Sequence, residues 1–462
     1  MNDARPDILL FLTDDHARWA LPAYGNPALR TPNLDRLAHR GTVFEDAYTP
    51  SPVCSPARAS LMTGRMPSGH GIHDFLASHP HFDGKDWLAG LPTLAERLAA
   101  EGYDCALVGK WHVGRDATPP PGFSHWFALN GEYPIHHDGD NGFSRNGQPE
   151  RHVGNLTEII TDEAVKFLTE RDRGRPLFLI VGYYATHSPW ADQPKRLVDL
   201  YERHDFAEIG AGSPAGGLLN VELAGDDADR FQRARCEYYA AVSHIDEGLG
   251  RVVAALGNAP DTALVVYTAD HGLSLGQHGI WGKGNATRPQ NLLDDNIRVP
   301  LIAAGPGVLP GHRARGFVDH CDTHRWILAA AGVVPQFSLP TGRCTQFAEY
   351  GTLRMARDAT HKLLVSTTGA TPKLFAVGPG HDETLEVSGQ PGAAEIIARL
   401  TQELDAFFAR EADPARSGPD SLRPATFNFN QAWDAWVVPG PGKPAPRPDL
   451  PSQTGHSKRD SR

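Results

Sequence analysis

The chain has 462 residues, of which 40% are hydrophobic and 21% charged, with a formal net charge of −11. This length supports a large core plus a smaller second unit. The acidic balance excludes nucleic acid and an anionic membrane surface as main partners, but not an anionic small molecule, because a few local cations and a metal override the global sign.

The predicted elements alternate. Ile8–Leu12 is a buried strand that runs straight into Thr13-Asp14-Asp15-His16. Leu91–Glu101 has helical periodicity, and Cys105–Val108 is a strand followed by Gly109-Lys110-Trp111-His112. Thr157–Arg171 is an amphipathic helix, and Leu177–Tyr184 is a strand that ends in Ala185-Thr186-His187. A long helix over Asp229–Leu256 leads to the strand Thr262–Thr268 and then Ala269-Asp270-His271-Gly272. The strand Val299–Ala304 and a helix over Asp322–Ala331 complete the series. This alternation predicts an α/β domain with a mainly parallel sheet, all five strands parallel. Ligands sit beyond the carboxyl ends of such strands, where the polar clusters fall.

The texture changes near residue 345. Leu353–Ala356, Lys362–Ser366 and Lys373–Val377 read as short strands, followed by a helix over Ala393–Ala412. The expected organisation is a catalytic domain over 1–345, an antiparallel-sheet-plus-helix subdomain over 346–435, and a Pro/Gly-rich polar tail over 436–462. No internal repeat is present. The five cysteines (Cys54, Cys105, Cys236, Cys321 and Cys344) show no C-x-x-C spacing and are too sparse for a disulfide framework. All but Cys54 are expected to be reduced core thiols. Five apolar residues at Ile8–Leu12 fall short of a signal peptide, so a cytoplasmic enzyme without a membrane span is expected.

Asp14, Asp15 and Asp270 place three carboxylates at strand ends, where they repel unless a cation holds them. Taken alone, Asp14-Asp15 reads as a turn or cap, and Asp270-His271-Gly272 as a solvated loop. Carboxylate oxygens favour a hard divalent ion: Ca²⁺ first, with Mg²⁺ or Mn²⁺ as alternatives.

Ser51-Pro-Val-Cys54-Ser-Pro-Ala-Arg58-Ala-Ser-Leu-Met-Thr-Gly-Arg65 closely resembles the signature of type I sulfatases. Gly102-Tyr-Asp-Cys-Ala-Leu-Val-Gly-Lys110-Trp-His112-Val-Gly114 resembles the second signature of that family. Gly182-Tyr-Tyr-Ala-Thr-His187-Ser-Pro-Trp190 and Leu275-Gly-Gln-His278-Gly-Ile-Trp-Gly-Lys283 resemble two further family segments. The matches keep family order from about residue 7 to about residue 390.

The resemblance implies an alkaline-phosphatase-like fold and hydrolysis of a sulfate ester. It implies that a maturation enzyme oxidises Cys54 to formylglycine, whose hydrated diol is the nucleophile. It implies one divalent metal held by Asp14, Asp15, Asp270, His271 and residue 54; many members carry Asn or Gln in place of His271. Lys110 and Lys283 would then bind the sulfate and His112 would hydrogen-bond the diol. His187 would protonate the leaving alcohol, and Arg58 would orient the diol. A diol is needed because its second hydroxyl releases the sulfate, whereas a serine would stall. The expected substrate is a small-molecule or saccharide sulfate ester, and a homo-oligomer is compatible with the chain. Two alternatives remain: a phosphonate monoester or phosphodiester hydrolase with the same machinery, and a dead anion-binding relative. The latter predicts loss of at least one of Cys54, Arg58, Lys110, His112, His187 and Lys283, and all six are present.

Overall fold

Six consecutive buried residues, Ile8–Thr13, form strand β1 in the middle of a ten-stranded sheet. The computed structural model describes residues 5–76, 86–131, 135–188, 190–209, 228–257, 262–287, 290–378 and 383–417. The tail expected over 436–462 lies outside the described residues.

The other strands are β2 (Thr42–Tyr48), β3 (Asp104–Gly109), β4 (His125–Leu129), β5 (Asp138–Arg145), β6 (Gln148–Asn155), β7 (Leu177–Gly182) and β8 (Leu264–Ala269). A small ribbon of β9 (Ser274–Leu275) and β10 (Trp281–Gly282) precedes β11 (Leu301–Ala304) and β12 (His312–Asp319). The large sheet runs β12-β2-β11-β8-β1-β7-β3-β4-β5-β6. Its centre, β8-β1-β7-β3-β4, is parallel throughout.

Alternation places Leu9 and Phe11 of β1 on one face and Ile8, Leu10 and Leu12 on the other. The first face packs on helices Pro32–Arg40, Leu156–Glu170 and Ala228–Ala255. The second packs on helices Cys54–Thr63, Leu94–Ala100 and His320–Ala330. Two covered faces explain why the central strands are continuous apolar runs.

Some expectations need correction. β11 pairs antiparallel with both β8 and β2. An apolar run shows that a strand is buried but not which way it points. β2 and β12 were not foreseen; β12 is partly exposed and carries a register shift between Ala314 and Phe317. The antiparallel hairpin β5–β6 was not foreseen either. Its turn residues Asn146 and Gly147 have φ of 51° and 89°, the left-handed geometry that Asn-Gly favours. Cys105 and Cys236 are buried free thiols, but Cys321 is half-buried and Cys344 exposed, so the latter two are not core thiols.

The C-terminal sheet is antiparallel, in the order β13 (Gln346–Tyr350), β14 (Leu353–Arg357), β15 (His361–Ser366), β16 (Lys373–Ala376). Its first strand was not foreseen. Helix Ala393–Glu411 lays Leu400, Leu404 and Phe408 against Phe347 and Leu363. Among the described residues, no helix is long and apolar enough to cross a membrane.

Candidate active site

Because β8, β1, β7 and β3 are parallel neighbours, the residues that follow them emerge at one edge. These are Asp270-His271, Asp14-Asp15, Tyr183–His187 and Lys110. Backbone bonds pin the first loop: Asp14 N donates to the Ala185 carbonyl (3.2 Å), and Thr186 N donates to the Asp14 carbonyl (2.7 Å). Thr186 Oγ1 adds bonds to the carbonyls of Asp14 (3.1 Å) and Asp15 (3.0 Å), and Tyr238 donates to the latter (2.9 Å). Asp15 has a φ of 57°, a conformation that aspartate tolerates better than most residues.

Cys54 is the first residue of helix Cys54–Thr63, so its side chain sits at the positive end of a helix dipole. Its Sγ lies 3.3 Å from Asp14 Oδ1, from His271 Nε2 and from Lys283 Nζ. Burial pushes this thiol up, but the charges of Lys110, Lys283 and His271 hold it well below its ordinary value. The position therefore stabilises negative charge on whatever atom residue 54 presents.

The acids and bases around it interlock. Lys110 Nζ contacts Asp14 Oδ2, and Lys283 Nζ donates to Asp15 Oδ1 at 2.8 Å. Arg58 lies one turn along the helix, 1% exposed. Its Nε donates to Asp270 Oδ2 (2.7 Å) and its Nη1 to the Lys110 carbonyl (2.9 Å). Burial and the Cys54 charge push Asp14 up, yet Lys110, His187 and Lys283 prevail and hold it below the usual carboxylate range. Asp270 goes the other way, to about 6, from burial and the Asp14 charge. Burial opposes the protonated form of His271, but Asp270 and its neighbours raise it to about 9.

These residues fit a metal. Asp14, Asp15, Cys54 and His271 each present a ligand atom within 4.8 Å of the others, all four buried. His271 Nε2 is 3.2 Å from Asp15 Oδ1 and 3.6 Å from Asp14 Oδ1 and Asp270 Oδ1. Its Nδ1 lies 2.9 Å from the Gly272 carbonyl, which keeps that proton and leaves Nε2 facing the carboxylates. A raised Asp270 and a raised His271 both mark a cluster short of positive charge. Asp270 stands beside the four-atom group, with one oxygen already on Arg58.

His112 has a φ of 60°; its Nε2 is 2.8 Å from the Leu76 carbonyl, and its Nδ1 is buried with no hydrogen-bond partner among the described residues. His187 is half-buried, and its charge acts on Asp14. Tyr184 stacks on the His187 ring (centroids 4.8 Å apart) with its hydroxyl 3.0 Å from Nδ1. Lys110 Nζ lies 5.2 Å over the same tyrosine ring. His137 Nε2 holds the His187 carbonyl at 2.7 Å. His278 lies 3.9 Å from Asp295.

Thus all ten expected residues (Asp14, Asp15, Cys54, Arg58, Lys110, His112, His187, Asp270, His271 and Lys283) come to one edge of the sheet. Sequence reasoning assigned no role to Tyr184, Thr186, His137 or Tyr238. Tyr184 and Thr186 lie inside a motif already singled out, whereas Tyr238 on its long helix and His137 carry no local signal.

The sulfatase family model matches residues 6–333. The chain belongs to the sulfatase family. Human N-acetylgalactosamine-6-sulfatase is 30% identical over 366 residues, which is 71% of this chain and 63% of the relative. Choline-sulfatase of Rhizobium meliloti is 29% identical over 67% of this chain and 65% of the relative. N-acetylglucosamine-6-O-sulfatase of Bacteroides thetaiotaomicron is 26% identical over 65% and 63%. The chain therefore spans slightly under two thirds of these curated relatives' length. A solved structure described as a complex with its substrate D-glucosamine-2-N,6-O-disulfate superimposes with a TM-score of 0.76 at 22% identity, over 91% of this chain and all of that one. The phosphonate monoester hydrolase of Agrobacterium radiobacter shares the fold, with a TM-score of 0.70 at 20% identity over 89% and 97%.

Proposed function

We propose that this sulfatase hydrolyses the sulfate ester of a small or saccharide alcohol. The observation that carries this reading is Cys54 Sγ at 3.3 Å from an acid, an imidazole and a lysine at once, on a helix N-terminus. Oxidised to formylglycine by a maturation partner, residue 54 would present a hydrated aldehyde oxygen there as nucleophile. A divalent cation, for which Ca²⁺ suits a carboxylate-rich set, would neutralise the sulfate oxygens and the nucleophile's charge, held by Asp14, Asp15, Asp270, His271 and residue 54.

The chain's own residues do the rest. Lys110 and Lys283 bind sulfate oxygens and stabilise their charge as the S–O bond breaks. Arg58 fixes Lys110 through its carbonyl and Asp270 through its carboxylate. His112 accepts or returns a proton at Nδ1, because its Nε2 is engaged with Leu76. His187 donates a proton from Nε2 to the departing alcohol, while Tyr184 sets the plane of its ring. The named substrates of the relatives, choline sulfate and sulfated amino sugars, define the two classes to screen first.

The test is turnover of p-nitrophenyl sulfate by protein shown by mass spectrometry to carry formylglycine at position 54. Two lysines and a cation hold any tetrahedral anion, so p-nitrophenyl phenylphosphonate is run beside it. Faster turnover of the phosphonate would overturn the sulfate reading, and no turnover of either by mature protein would overturn the hydrolase reading.

A further inference from the structure

Between the Lys283 loop and the C-terminal sheet lies a cavity of about 280 Å³. Its walls are mainly apolar: Ile280 and Leu292 from the loop side, Leu353, Leu364 and Phe375 from the sheet. None of the ten residues gathered at the active site lines it.

Gln290 stands in this wall, 3% exposed, and among the described residues neither its Nε2 nor its Oε1 has a hydrogen-bond partner. Burying an amide that makes no hydrogen bond is destabilising, and native proteins leave few such groups. The buried charge at the cavity is already matched: Lys362 Nζ donates to the Leu292 carbonyl (2.9 Å), to Asp294 Oδ1 (2.8 Å) and to Glu383. No spare charge asks for an ion. What the cavity lacks is one acceptor for an N–H and one donor for a carbonyl, side by side.

We propose that this cavity binds a small neutral molecule with an apolar body and an amide-type group. The ligand's carbonyl accepts from Gln290 Nε2 and its N–H donates to Gln290 Oε1, while the body fills the space against Leu353, Leu364 and Phe375. The site bears on the catalytic loop. The next residue, Asn291, donates from its backbone N to the Gly284 carbonyl (3.1 Å) and from Nδ2 to the Lys283 carbonyl (3.3 Å) and Thr287 Oγ1 (2.9 Å). A ligand held by Gln290 braces the segment that carries Lys283.

The test needs no turnover, so it stands or fails independently of the sulfatase reaction. Benzamide offers a phenyl ring and a primary amide with an N–H cis to its carbonyl, and acetophenone replaces the amide NH2 by a methyl. By isothermal titration on the full chain, benzamide should bind at least ~10-fold tighter than acetophenone. Inorganic sulfate should not displace it. Gln290→Leu should erase the difference between the two probes. Absence of benzamide binding, an unchanged gap in Gln290→Leu, or displacement by sulfate overturns the proposal. Should Gln290→Leu fail to fold, Leu364→Phe narrows the cavity and should weaken both probes, and unchanged affinities there overturn it equally.

Discussion

Replacing Arg58 by Met removes a buried cation while keeping most of its bulk. The guanidinium is 1% exposed, and its partner Asp270 is fully buried at 2.7 Å. A second bond, to the Lys110 carbonyl at 2.9 Å, is lost with it. Removing one member of such a pair costs about 3–5 kcal/mol, because the other charge stays buried and uncompensated. That figure applies to metal-free protein. With a divalent cation beside Asp270, attraction of about 4 kcal/mol per charge pair at close range in a medium of effective dielectric about 20 takes over part of the compensation. The loss in Ca²⁺-loaded protein should then fall to roughly 2 kcal/mol or less. The assay is urea unfolding at neutral pH of wild type and Arg58→Met, each with chelator and with Ca²⁺, and with slopes compared so that only midpoints are read. Equal losses in both conditions would refute the reasoning, since they would mean that no cation reaches Asp270. A loss under about 1 kcal/mol without metal would show that the pair behaves like a surface ion pair.

Peptide mass spectrometry of active protein should find residue 54 about 18 Da lighter than cysteine, and full activity with an intact thiol would sink the nucleophile assignment. His187→Ala should slow esters of alkyl alcohols ~100-fold or more but nitrophenyl esters far less, as a good leaving group needs little protonation; equal losses would move His187 from acid to sulfate binder. Lys110→Ala and Lys283→Ala should slow both ester types alike, and a leaving-group-dependent loss would reassign them. Asp246 caps the helix at Pro32 by accepting from Leu34 N (2.7 Å), Asn33 N (3.2 Å) and Asn33 Nδ2 (2.8 Å). Asp246→Ala should destabilise by about 2–4 kcal/mol, since it strands buried donors. Burial raises that carboxyl to about 6 from 3.8, so its ionisation opposes folding progressively as pH rises from about 4 to about 6. The cost of Asp246→Ala should therefore be about 1.5 kcal/mol larger at pH 5 than at pH 8, and a cost that grows with pH would contradict the cause given.

The central sheet was legible because β1, β3, β7 and β8 are covered on both faces and so read as unbroken apolar runs. β2 and β12 were not, because half-exposed strands such as His312–Asp319 carry no such run. The β5–β6 hairpin did leave a local signal in Asn146-Gly147, but its flanks are too polar for alternation to stand out. The candidate site residues were legible by resemblance, most of them at strand ends. Their supports were not: Tyr238 reaches Asp15 across 223 positions of sequence, and His320 meets the Asp270 carbonyl across 50. Such pairings depend on where helices are laid, which periodicity does not encode.

All ten residues of helix Cys54–Thr63 are buried, and Cys54 itself is 1% exposed between two lysines and a cluster of acids. An oxidising enzyme must take hold of the peptide on either side of the thiol, and in the native protein no such stretch is within reach. If Cys54 is matured as proposed, its oxidation would therefore compete with folding in time. Chains that closed the β2-to-helix segment first would then be trapped as stable, well-packed and inert protein. Under fast synthesis or slow oxidation, the active fraction of a preparation would report that race, while its melting curve would not.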